Sequence, residues 1–146
     1  MTRTTRFINL YQVGAGLSDT LTGILLLAAP AYTLRLMLVR ALPQPIEYAK
    51  FIGIFVLSVG LTYLLVVWRW PLARSLPDAV GVSSAAAWKI QWALTAMIRA
   101  LVAVFLFSEI AAGRMEAAWL TVAVSDAALA GIQIVGLSRG WLDHAS

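Results

Sequence analysis

The sequence predicts an all-α fold: an integral membrane four-helix bundle with a short interfacial helix between helices 1 and 2. Two observations lead there. The 146 residues are 61% hydrophobic and 12% charged, against about 25% charged in soluble domains, and the mean hydropathy is +0.84. The apolar residues also gather into four runs of about 20 or more, enough to cross a hydrocarbon core of roughly 30 Å at 1.5 Å per residue. One domain, residues 1–146, is the natural count.

The first span covers about residues 7–29 and is broken by Pro30. Arg3 and Arg6 ahead of an apolar run imitate a signal peptide, but the run contains Gln12 and Asp19. An uncleaved first span is therefore the expectation. The stretch from Tyr32 to Arg40 is too short to span and too apolar for open water. It is read as an interfacial helix whose Arg35 and Arg40 reach towards headgroups, ended by Leu42 to Pro45. The second span, about 47–70, stops at Pro71, and residues 71–84 form a polar loop capping the third helix. The third span, about 85–110, ends in the turn from Ala111 to Arg114. The fourth covers about 115–137.

Four crossings place both termini on one side. That side carries Arg3, Arg6, Arg69, Arg74, Lys89 and Arg139, and the other carries Arg35, Arg40, Lys50 and Arg114. The excess favours cytoplasmic termini, and the expected location is a bacterial cytoplasmic (inner) membrane. Trp68, Trp70, Trp88, Trp92 and Trp141 gather towards the terminal side, as an interfacial aromatic belt would. Glu47, Lys50, Glu109 and Glu116 lie near span ends, where contact with solvent or headgroups is expected.

Several chemistries are excluded. The chain has no cysteine, which removes disulfides, iron–sulfur clusters and thiolate metal sites, and its one histidine, His144, lies in the C-terminal tail. No metal site is expected. Basic residues at span ends fit lipid headgroups and topology control, so nucleic acid is not an expected partner.

What remains is a set of three ionisable residues near the centres of three spans: Asp19, Arg99 and Asp126. A charge at mid-depth costs roughly 2.5–3.5 kcal/mol by insertion scales, so the three are expected to meet inside the bundle. Helical spacing sets Gln12, Ala15, Gly16, Thr22 and Gly23 on the Asp19 face. The Arg99 face holds Trp92, Thr95, Ala96, Val102 and Ala103, and the Asp126 face holds Trp119, Ala123, Leu129, Ala130 and Gln133. Gly53 and Gly60 share a face of the second helix, with Tyr63 nearby. Small residues beside charges mark faces on which helices approach closely.

The run from Phe51 to Leu61, the triplet Ile98-Arg99-Ala100 and the pair Ser125-Asp126 make the chain resemble small four-helix bacterial membrane proteins described as DoxX-like. The resemblance implies a four-helix bundle, sometimes associated with redox or respiratory membranes. It transfers no catalytic residue.

The functional expectation is a non-catalytic membrane protein, an accessory or scaffold subunit. The Asp19–Arg99–Asp126 cluster fixes its helix packing, and its partners are lipids, itself or other membrane subunits. The alternative is a binding protein for a lipophilic molecule (a quinone, carotenoid or lipid) lined by Gln12, Tyr63, Trp92, Trp119 and Gln133. A proton-coupled transporter comes next, with the absence of a mid-span proline against it. An enzyme using Asp19 or Asp126 as acid or base comes last, because no nucleophile or phosphate cradle accompanies them.

Overall fold

The computed structural model describes residues 3–68 and 84–144. Its helices are α1 (Arg3–Ala28), α2 (Pro30–Leu36), α3 (Glu47–Trp68), α4 (Ser84–Ala111) and α5 (Leu120–Ser138), with single 3₁₀ turns at Ala117–Trp119 and Trp141–His144. Among the described residues there is no strand. Among the described residues, four segments are long and apolar enough to cross a membrane: Arg3–Ala28, Glu47–Val67, Ala86–Ala111 and Ala117–Ser138. Arg69, Trp70, Arg74 and the expected loop after Pro71 lie outside the described residues.

Two antiparallel pairs make up the molecule, α1 with α3 and α4 with α5. The first pair is zipped by glycine. A Cβ at Gly23 would fall 2.5 Å from the Leu57 backbone nitrogen and 2.7 Å from its Cα. The two main chains therefore run in direct contact, which only a residue without a side chain permits. In the second pair an aromatic ring replaces the glycine zipper: Trp92 lies flush on Gly136, with its Cζ3 2.5 Å from where a Cβ would be.

Fewer close approaches join the two pairs, and large side chains fill the seam between them. Ile8, Tyr11, Ala15, Tyr63, Trp92 and Leu142 form its core. Trp92 is thus fully buried, a correction to its place in an interfacial belt. It sits on the Arg99 face of α4, and its ring packs against Tyr11 at a centroid distance of 5.3 Å. Phe7 meets Trp141 edge-on at 5.7 Å, so the two ends of the chain lie together at one end of the helices.

The segment between α1 and α3 differs from expectation in its bounds. The short helix begins at Pro30 itself, since proline is pre-set for a first helical turn and its missing N–H is no loss there. It ends at Leu36, where Leu38 turns into the left-handed region (φ +65°) and Val39 N–H donates to the Leu34 carbonyl at 3.0 Å. Leu34 and Val39 then bury with Leu26 and Ala49 in a second apolar cluster at the far end of the helices. The last segment begins as a 3₁₀ turn before α5 takes over at Leu120, five residues later than the predicted start.

Outward faces are apolar along all four long helices: Leu10 and Leu21, Phe51 and Phe55, Leu94 and Leu101, and Val124 and Ile134 are exposed. Hydroxyls on those faces turn back onto their own helix. Ser58 donates to the Ile54 carbonyl at 2.8 Å, Ser108 to Phe105 at 2.7 Å and Ser125 to Val122 at 2.9 Å. Such bonds leave no hydroxyl proton in need of water.

Candidate functional site

The site lies in the seam, in layers stacked along the helix axes. α1 and α4 run in the same direction across it, so residues one or two turns apart on each meet level by level.

Nearest the chain ends is an apolar layer of Ile8 and Leu142. Next come Gln12 on α1 and Gln91 on α4, whose side-chain amides bond to each other at 3.0 Å, and Trp92. One turn further along, Gln133 of α5 donates to the Thr95 hydroxyl at 2.6 Å and the Tyr63 hydroxyl at 2.9 Å, linking α5, α4 and α3. Tyr11 adds a fourth link across the seam, donating from its hydroxyl to the Leu129 carbonyl at 3.1 Å.

The fourth layer is the ion triad. Arg99 reaches Asp126 through one terminal guanidinium nitrogen and Asp19 through the other, both in direct ion pairs. Its Nε donates to the Tyr63 hydroxyl at 3.3 Å, and its guanidinium carbon stands 5.6 Å from the centre of the Tyr63 ring. All four long helices therefore converge on one side chain. The Arg99 side chain is 6% exposed and each carboxylate 15%, so the pairs form largely away from solvent, where charge-assisted hydrogen bonds are strong. Each guanidinium nitrogen has its own acceptor, a planar fork that an ammonium could not reproduce. The guanidinium stays protonated, which leaves the fully ionised triad with a net charge of −1. Beyond it the interior is apolar, with Gly23, Leu26, Ala103, Leu106 and Ala123 buried.

Of the residues expected at the site, Asp19, Arg99 and Asp126 meet, and Gln12, Tyr63, Trp92 and Gln133 lie in the adjoining layers. Trp119 does not join them. It packs with Ala118 against the far apolar cluster of Leu26, Leu34, Val39 and Ala49, because it closes the turn before α5 and not the Asp126 face of the helix proper. Tyr11 and Gln91 belong to the site and were not anticipated there. Their signal was available: Gln91 is a second glutamine inside an apolar run, one that needs a partner as Gln12 does.

A separate polar contact lies outside the spans. The Glu116 carboxylate accepts the backbone N–H groups of Arg40 at 3.0 Å and Ala41 at 2.5 Å, clipping the α2–α3 connection to the turn before α5. These bonds hold the Glu116 pKa below the ordinary carboxylate value. Beside it, Arg114 grips Glu109 with two bonds of 2.7 and 2.6 Å. Glu109 and Glu116 are solvent-accessible, as expected, and also have partners within the chain. Among the described residues no cluster of His, Asp and Glu has metal-binding geometry.

Comparison of the chain with family models, with curated proteins and with solved structures finds no match.

Proposed function

We propose that the chain is a multi-pass integral membrane protein acting as a non-catalytic accessory or scaffold subunit of a membrane assembly, with the Asp19–Arg99–Asp126 triad locking its two helix pairs in register. The observation that carries this reading is that Arg99 commits each of its guanidinium nitrogens to an acceptor within the chain. A buried guanidinium satisfied in this way holds helices and leaves none of its nitrogens without an acceptor for a substrate to supply. The inverted distribution of polarity supports the membrane: the interior holds the charges and amides while the exterior is lined with leucine, isoleucine and phenylalanine. Lipid covers part of that exterior and subunits the rest. The excess of arginine and lysine on the side of the chain ends supports a cytoplasmic placement of both termini, and the DoxX-like pattern supports a bacterial inner membrane.

The test is native mass spectrometry of the chain, expressed at its natural level and extracted into nanodiscs directly from the membrane. A complex of fixed stoichiometry containing a second polypeptide or a second copy is expected. A single chain carrying one equivalent of a lipophilic molecule would overturn the assembly reading in favour of ligand binding.

A further inference from the structure

We propose that the seam between the two helix pairs is a water-binding site, its ligands Gln12, Gln91, Trp92 and Gln133, connected by hydrogen bonds to the ion triad. This does not rest on the assembly reading. Four polar atoms of these residues are buried without a protein partner: the Gln12 and Gln133 Oε1 atoms, which accept, and Gln91 Nε2 and Trp92 Nε1, which donate. Gln12, Trp92 and Gln133 are fully buried. All four atoms belong to the layers between α1, α4 and α5. A fifth such atom, the Thr20 hydroxyl, lies apart, in the α1–α3 seam against Gly60.

Buried polar groups in folded proteins are met by protein or by ordered water. Here the set is balanced between donors and acceptors, and the balance survives reversal of the Gln12–Gln91 pair. Turning both members of the Gln12–Gln91 pair reverses their bond and still leaves one oxygen and one nitrogen unmet. Water supplies both functions. A quinone carbonyl accepts only and would leave both Oε1 atoms unmet, and a carotenoid hydrocarbon would meet none of the four. The chemistry of the seam therefore selects water over a quinone or a carotenoid hydrocarbon.

The position matters to the triad. Gln133 bonds Thr95 and Tyr63, and Tyr63 bonds Arg99, so water at the glutamines joins a continuous chain that ends at the guanidinium. On the opposite side of Arg99 the buried residues are apolar except Thr33, whose hydroxyl donates to the Ala29 carbonyl at 2.9 Å. Hydrogen exchange at the Arg99 Nε proton is thereby routed through Tyr63 and Gln133, from the side on which the half-buried Gln91 lies.

The experiment is water-selective magnetisation transfer by NMR on the full chain in phosphatidylcholine nanodiscs, with ¹⁵N-labelled tryptophan, glutamine and arginine. Cross-peaks from water to the Trp92 indole N–H are expected. Gln12→Leu should weaken them and slow exchange of the Arg99 Nε proton by about tenfold. If Gln12→Leu does not fold, Gln133→Met takes its place with the same expected outcome. The proposal is overturned if the Trp92 indole N–H shows transfer only from acyl or other apolar ligand protons, or none, or if Arg99 exchange is unchanged in the folded variant.

Discussion

Gly60 of α3 lies against the main chain of Thr20 on α1 so closely that a Cβ added to it would stand 2.5 Å from the Thr20 nitrogen and 2.9 Å from the Gly16 carbonyl oxygen. This contact lies one residue from Asp19, and it sets the spacing at which Tyr63, one turn along α3, reaches Arg99. Backbone cannot yield as a flexible side chain can, so Gly60→Ala should force α1 and α3 apart. A loss of about 1–3 kcal/mol is expected, as for overpacking elsewhere. Gly131→Ala, where a Cβ meets nothing within 4 Å, should stay within about 0.5 kcal/mol of the parent. Thermal unfolding of the two variants in the same detergent checks the difference.

Tyr63→Phe keeps the ring under Arg99 and removes the hydroxyl that accepts from Arg99 Nε and Gln133 Nε2. Arg99 Nε then has no acceptor, and Gln133 Nε2 keeps only its bond to Thr95. Unmet buried donors of this kind cost about 1–3 kcal/mol each. The variant should unfold at lower temperature than the parent, while Tyr48→Phe, at an exposed position, should not.

Glu116 gives the chain a pH-sensitive contact outside its spans. The Arg40 and Ala41 N–H groups favour its ionised form and lower its pKa. A group depressed on folding contributes fully above its unfolded pKa, and the contribution is lost as pH falls through the folded value. The clip is therefore closed at neutral pH and opens only below the ordinary carboxylate range. The amide shifts of Arg40 and Ala41, followed by NMR on lowering pH, should move together, and Glu116→Gln should abolish the movement. Amide shifts that titrate alike in that variant would show that another group is responsible.

Much of the architecture was legible because the rules that govern it are coarse. Apolar length defined the long helices, Pro30 ended the first of them, and three mid-span charges had few places to go except towards one another. Gly53 and Gly60, seven residues apart, marked the face that now packs on α1. Less was legible where one residue type serves two environments. A tryptophan near a span end reads as a belt residue, and only the position of Gly136 on a neighbouring helix reveals that Trp92 is a core residue. Trp119 shares a helical stripe with Asp126 on paper, but the chain there is a 3₁₀ turn, so the stripe does not extend that far. The clip made by Glu116 was not legible because its partners are backbone N–H groups far away in sequence. No side-chain pattern announces those.

Arg99 joins Asp19 and Asp126 across the seam, and unfolding of Arg99→Leu beside Arg99→Leu/Asp19→Leu/Asp126→Leu measures most directly what that junction holds together. The single variant leaves two buried carboxylates without their partner and should lose about 3–5 kcal/mol, whereas removing all three charges should restore much of the loss. If the single variant instead unfolds at the parent's temperature, or if the triple variant is no more stable than the single, the triad does not hold the two helix pairs together.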